Sequence, residues 1–148
     1  MRILALDHGT VRIGVAVSDE LGMLAHPLDF LPAEPKASLL SGIRKLIQER
    51  EIALILVGMP RNMDGSYGPA VQKVEEFVHW LKETIAIPIR SWDERLTTTQ
   101  AHRMLAESGK RSKDRRGRVD SSAAAVLLQS YLEAQSSGLA APGDPLSA

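Results

Sequence analysis

Residues 2–19 constrain the fold more than any other stretch, because two short apolar runs, at 3–6 and 13–17, flank a tight polar segment containing Gly9. Apolar runs joined by so short a connection form a β-hairpin. The first run is almost wholly apolar, as in a strand covered on both faces, and Asp7 closes it. A carboxylate is thereby placed where a buried sheet meets solvent. Asp is also an ordinary turn former, since its side chain accepts bonds from nearby backbone N–H groups, so the position alone does not decide between turn and chemistry.

Strand and helix patterns then alternate. Residues 23–31 read as a third strand, with Pro27 arguing for an edge or a bulge. Residues 37–50 carry Leu39, Leu40, Ile43, Leu46 and Ile47 at helical spacing, and 53–57 form a continuous apolar run. That is the pattern of a crossover helix followed by a buried parallel strand. Residues 59–68 read as loop; Pro69 opens a second helix with Val71, Val74, Phe77, Val78 and Leu81 inward, and 85–92 supply a fifth strand ending at Asp93 and Glu94. Thr97 and Gln100 match a capping box for a helix over 98–107, and a last helix starts near Asp120, where Ala123, Ala124 and Ala125 permit close approach to a sheet. The expected fold is a three-layer α/β sandwich around a five-stranded mixed sheet, three antiparallel N-terminal strands and then two parallel ones. One domain is expected over 1–135, with 136–148 a disordered tail.

Composition narrows the function classes. A chain of 148 residues, 44% hydrophobic and 24% charged, reads as one soluble domain. No apolar run approaches the roughly 20 residues of a membrane span, and Asp7 interrupts the first one too early for a secretory signal. The absence of Cys excludes disulfides and thiolate metal sites, which is compatible with a reducing cytoplasm. Eighteen basic and eighteen acidic residues cancel, so an anionic partner must be held by a local patch. Lys110, Arg111, Lys113, Arg115, Arg116 and Arg118 supply one, interrupted by Asp114.

In sheets of this kind the ligand crevice lies at the carboxyl ends of the parallel strands. Asp7, either Asp93 or Glu94, and Asp120 fall there together. Converging carboxylates repel one another unless something positive sits among them, and in an all-oxygen site that is Mg²⁺ or Mn²⁺. Two such ions about 4 Å apart can activate water and stabilise the leaving oxygen of a phosphodiester. The basic run would hold the polyanionic backbone with salt-dependent affinity. Each part also has a plain structural role: Asp120 as a helix cap, Glu94 with Arg95 as a surface ion pair, Trp80 and Trp92 as core. The four histidines show no ligand spacing.

Four segments carry a resemblance. Asp7-His8-Gly9-Thr10 within 7–16, Gly58-Met59-Pro60-Arg61-Asn62 within 57–66, Asp93-Glu94-Arg95 within 93–98 and Asp120-Ser121-Ser122 within 120–125 occur in the order and spacing of the bacterial YqgF family. That family is described as Holliday junction resolvases or pre-16S ribosomal RNA nucleases, and the resemblance spans 2–132. It implies a ribonuclease H-like fold and a cytoplasmic, Mg²⁺- or Mn²⁺-dependent endonuclease maturing the 5′ end of pre-16S rRNA, or else resolving four-way junctions. The implied partners are structured RNA or branched DNA and ribosomal precursor particles, with no membrane. By the same matching, Asp7, Glu94 and Asp120 would be the catalytic, metal-holding triad. Arg12, Asn62, Asp64, Ser66, Arg95 and Thr97 would touch substrate beside Arg115, Arg116 and Arg118. Val11 departs from the pattern by standing where a basic residue is expected before Arg12, and His102 stands where an acidic one is common. Asp-x-Gly-Thr also resembles the phosphate-binding turn of actin-like ATPases, but those place nucleotide between two domains. A non-catalytic nucleic-acid-binding factor is the remaining alternative.

Overall fold

A computed structural model describes residues 1–60, 68–96, 103 and 122–136. The elements run β1 (Arg2–Asp7), β2 (Arg12–Ser18), β3 (Ala25–Pro32), α1 (Lys36–Arg50), β4 (Ile52–Met59), α2 (Pro69–Thr84), β5 (Ile89–Asp93), a 3₁₀ turn (Glu94–Leu96) and α3 (Ser122–Ser136). They build one sheet in the order β3-β2-β1-β4-β5, with β1 antiparallel to β2, β2 antiparallel to β3, and β4 parallel to both β1 and β5. The expected five-stranded mixed sheet is therefore present.

Each strand divides its side chains between two cores. Leu4, Leu6, Ile13, Val15, Val17, Ile55 and Val57 pack with Leu39 and Ile43 of α1 and with Val71, Val74, Phe77 and Leu81 of α2. Ile3, Ala5, Ala16, Leu56 and Trp92 face the other way, onto Ala124, Ala125, Leu127, Leu128 and Tyr131 of α3. Ala124 and Ala125 are almost completely buried, as their small side chains allow the helix to lie close on the strands. Pro27 is accommodated because β3 is the sheet edge, and a bulge sets Leu28 and Leu31 against Val15 and Ile13.

Several boundaries differ from those expected, β3 for instance running from Ala25 to Pro32 instead of 23–31. β4 continues through Gly58 to Met59, because parallel pairing with β5 extends to Met59 opposite Asp93. β5 begins at Ile89 instead of 85: Ile85 is spent closing α2, its N–H donating to the Leu81 carbonyl at 2.8 Å, and Pro88 has no N–H to give a ladder. α3 reaches Ser136, one residue past the expected domain end. Apart from Arg103, the helix expected over 98–107 lies outside the described residues, as do the basic run and 137–148. None of the described helices is long and apolar enough to cross a membrane.

Candidate active site

Side-chain alternation along β1 puts Asp7 on the same face as Ile3 and Ala5, toward α3. On β4 the same face carries Leu56 and then Gly58; on β5 it carries Trp92, and Glu94 two residues later returns to it. Leu6 pairs with Val57 and Gly58 with Trp92, so the carboxyl ends of β1 and β5 flank β4 at one level. Glu94 reaches across β4 and hydrogen-bonds Asp7.

Gly58 makes this reach possible. A Cβ built there would lie 3.0 Å from Glu94 Oε1, 3.0 Å from Leu127 Cδ2 and 3.4 Å from Glu94 Cγ. Any larger residue must displace the carboxylate or the α3 contact. Gly9 has a comparable role in the connection, where a Cβ would sit 2.5 Å from the Arg12 carbonyl oxygen.

The electrostatics of the pair are unfavourable by construction. Burial, the Asp7 charge, the hydrogen bond Glu94 donates to Asp7 and the Asp93 charge together push Glu94 from the ordinary carboxyl value up to about 7. Asp7 is also raised, by burial, against the opposing effects of the Glu94 hydrogen bond and of His8. Glu94 is therefore the carboxyl that keeps its proton to the higher pH, and when protonated it donates the hydrogen bond to Asp7. Such a pair is uncommon as a structural device and common where ions or protons are handled.

The residue pattern left Asp93 and Glu94 open as alternatives, the family resemblance pointed to Glu94, and in the fold the two face different ways. Asp93 ends β5, is 6% exposed and alternates away from Trp92's face; Glu94 opens the 3₁₀ turn and meets Asp7. Arg12 stands exposed at the start of β2 with its Cζ 4.9 Å from the centroid of the Phe30 ring. Arg95 lies within the 3₁₀ turn. Asp120, Asn62, Asp64, Ser66, Thr97, Arg115, Arg116 and Arg118 fall outside the described residues, and no cluster of three or more His, Cys, Asp or Glu able to hold a metal occurs among the described ones.

Two features escaped the sequence reading. Gly58 stands just past the apolar run at 53–57, where its own requirement does not show in the pattern, although a glycine inside a strand is itself a signal of close approach. His8, the neighbour of Asp7, turns to the opposite face and meets Phe77 of α2, ring centroids 4.8 Å apart. Burial lowers its pKa below the usual imidazole value, opposed by Asp7 and assisted by Lys73 and Lys36. Trp92 is core as expected, its Nε1 donating to Ser130 Oγ at 3.1 Å, whereas Trp80 is only half-buried.

Comparison with known proteins points in the same direction. The family described as RuvX, Holliday junction resolvase, matches residues 1–134. A protein of Halothermothrix orenii is 44% identical over 135 residues, covering 91% of this chain and 96% of its own length. One of Thermoanaerobacter pseudethanolicus is 45% identical over 136 residues, covering 91% and 98%. Both carry the name "Putative pre-16S rRNA nuclease". Among solved structures, T. thermophilus RuvC in complex with Holliday junction substrate superposes with a TM-score of 0.61 at 13% identity, over 94% of this chain and 97% of that one. Fowlpox virus resolvase with Holliday junction DNA gives 0.53 at 10% identity, over 91% and 99%. At such identities the likeness is one of fold.

Proposed function

Because the chain belongs to the RuvX family, described as Holliday junction resolvases, we propose that its carboxylate pole is a divalent-cation-dependent endonuclease centre hydrolysing phosphodiester bonds in nucleic acid. The observation that carries this reading is the Asp7–Glu94 hydrogen bond, made across β4 between the carboxyl end of β1 and the turn that follows β5. Two half-buried carboxyls whose ionisation is opposed by burial are an oxygen-only donor set short of positive charge, which fits Mg²⁺ or Mn²⁺. Asp7 and Glu94 would hold the ion, with Asp120 as the third carboxylate. Bound there, it would polarise the phosphoryl oxygen and lower the pKa of an attacking water.

The chain's own groups account for the rest. Asp7 and Glu94 repel an incoming phosphate, so grip on the strand falls to cationic side chains: Arg12 at the hairpin, then Arg95, Arg115, Arg116 and Arg118. Asn62, Asp64, Ser66 and Thr97 are proposed to hydrogen-bond the substrate. In the reaction the water oxygen bonds to phosphorus, one P–O ester bond breaks and the departing oxygen takes a proton.

The substrate we favour is the 5′ segment of pre-16S rRNA, in cytoplasmic ribosomal precursor particles, in keeping with the name of the relatives at 44% and 45% identity. Branched DNA is the second reading, favoured by the description of the family. The test is Mn²⁺-dependent cleavage of both labelled substrates by wild type and Asp7→Asn. Cutting of the RNA alone, lost in the variant, supports the first reading; symmetric cutting of the junction supports the second. Equal cutting by the variant would remove Asp7 from the chemistry, and no cutting of either would favour a non-catalytic binding factor.

A further inference from the structure

Asp7 and His8 are consecutive yet serve opposite faces of the sheet: Asp7 meets Glu94 on the α3 side, and His8 meets Phe77 on the α1/α2 side. Below His8 lies a cleft of about 240 Å³ between the β1–β2 connection and the first turns of α1 and mid-α2. Its wall is a run of flat groups. His8 lies 4.8 Å from Phe77, Phe77 stacks at 5.9 Å on Trp80, and Lys36 Nζ sits 5.7 Å from the Trp80 ring centroid. Phe77 is buried, so the surface open to a ligand belongs to the half-buried His8 and Trp80.

The charges around the cleft decide what it suits. Lys36 and Lys73 line it, but so do Glu34 and Glu76. A bare phosphate gains nothing from a rim of two cations and two anions. A nucleobase gains from all of it, being neutral and planar, with donors and acceptors along its edge for carboxylates and ammonium groups and two faces for stacking. The volume lies below the roughly 300–1,000 Å³ of drug-sized pockets, as a site for one base would. We propose that this cleft receives a single unstacked base of the substrate strand, next to the phosphodiester cleaved at the Asp7–Glu94 pole. This rests on the nuclease reading and adds a readout of strand geometry to it. One residue step from Asp7 to His8 separates the carboxylate pole from the base cleft, so a strand crossing the carboxyl edge of the sheet can occupy both.

The test uses the full chain carrying Asp7→Asn, so that the strand is not cut, with a fluorescein-labelled single-stranded RNA from the pre-16S 5′ segment, about 12 nucleotides long, in the range of single-strand sites. A set of the same RNA with one abasic nucleotide at each position in turn is compared by anisotropy. The expected result is one position at which base removal weakens binding about tenfold or more. Trp80→Ala should abolish that sensitivity and Trp80→Phe should retain it, with melting curves showing that both variants fold. A flat scan in a protein that binds the intact RNA overturns the base cleft and leaves the nuclease reading standing. So does a Trp80→Ala protein that keeps the sensitive position, or a free nucleoside monophosphate that occupies the cleft while the scan stays flat. Failure to bind any of the RNAs overturns the base cleft together with the pre-16S substrate, while the nuclease reading itself stands or falls on the cleavage assay.

Discussion

Two buried polar sites lie on the α3 face of the sheet, and they are built on opposite terms. Gln129 of α3 is 1% exposed and fully satisfied: its Oε1 accepts from Ala25 N–H at 2.9 Å and its Nε2 donates to the Met23 carbonyl at 3.1 Å. Ser18 is 2% exposed and accepts the Ile3 N–H at 2.8 Å. Both are neutral, and both tie the hairpin and the turn after it to the core. At the other end, Asp7 and Glu94 are less buried, yet they confront each other as like charges with Asp93 adding a third. Burial of a polar group therefore says little about role; whether its needs are met inside the protein says much.

The contrast predicts opposite outcomes for two kinds of variant. Glu94→Gln should lower cleavage about 100-fold or more, exceeding the 10–100-fold typical of outer-shell partners, while its melting temperature at pH 8 should not fall. A loss of stability as large as the loss of activity would break the comparison. Gln129→Ala should do the reverse. Leaving Ala25 N–H and the Met23 carbonyl without partners should cost about 2–3 kcal/mol, seen as a lower denaturant midpoint at unchanged m, with cleavage per folded molecule unaltered.

Gly58→Ala sharpens the comparison from between. Its new methyl must push Glu94 or Leu127, and the expected result is about tenfold weaker cleavage with about 1 kcal/mol of lost stability. Full activity would mean that Glu94 works without the reach to Asp7.

Much of this was legible in the chain. Continuous apolar runs separated by one-faced helices give the parallel half of the sheet, and the short Gly9 connection gives the antiparallel half, so Asp7 at the end of β1 follows directly. The choice between Asp93 and Glu94 does not follow, because it depends on parity: β5 starts at Ile89, Trp92 packs on Tyr131 at 5.0 Å edge to face, and only then does the second residue after Trp92 point at Asp7. Gly58's role was hidden for a similar reason. Its requirement is set by side chains on β5 and α3, distant in sequence, whereas a strand-ending glycine needs no such partner. The cleft under His8 likewise depends on Phe77 and Trp80, about seventy residues away.

A further predicted effect is on pH-dependent stability without divalent cations. Glu94 titrates at about 7 in the folded chain against an ordinary 4.5, so its contribution is fully present below 4.5 and is lost as pH rises through about 7. Chemical denaturation between pH 4.5 and 8 should show this decline in wild type and a flatter profile in Glu94→Gln. Identical profiles would mean that the pair carries no shared proton.

That proton gives the most direct test of the central claim, that Asp7 and Glu94 form a cation site held closed by a hydrogen bond. Mn²⁺ titration calorimetry at pH 6, repeated in buffers of different ionisation enthalpy, counts protons released per ion bound. The account predicts release of about one proton at pH 6, little at pH 8.5, and none in Glu94→Gln. Mn²⁺ binding with no proton release at pH 6, or release unchanged in the variant, would contradict it.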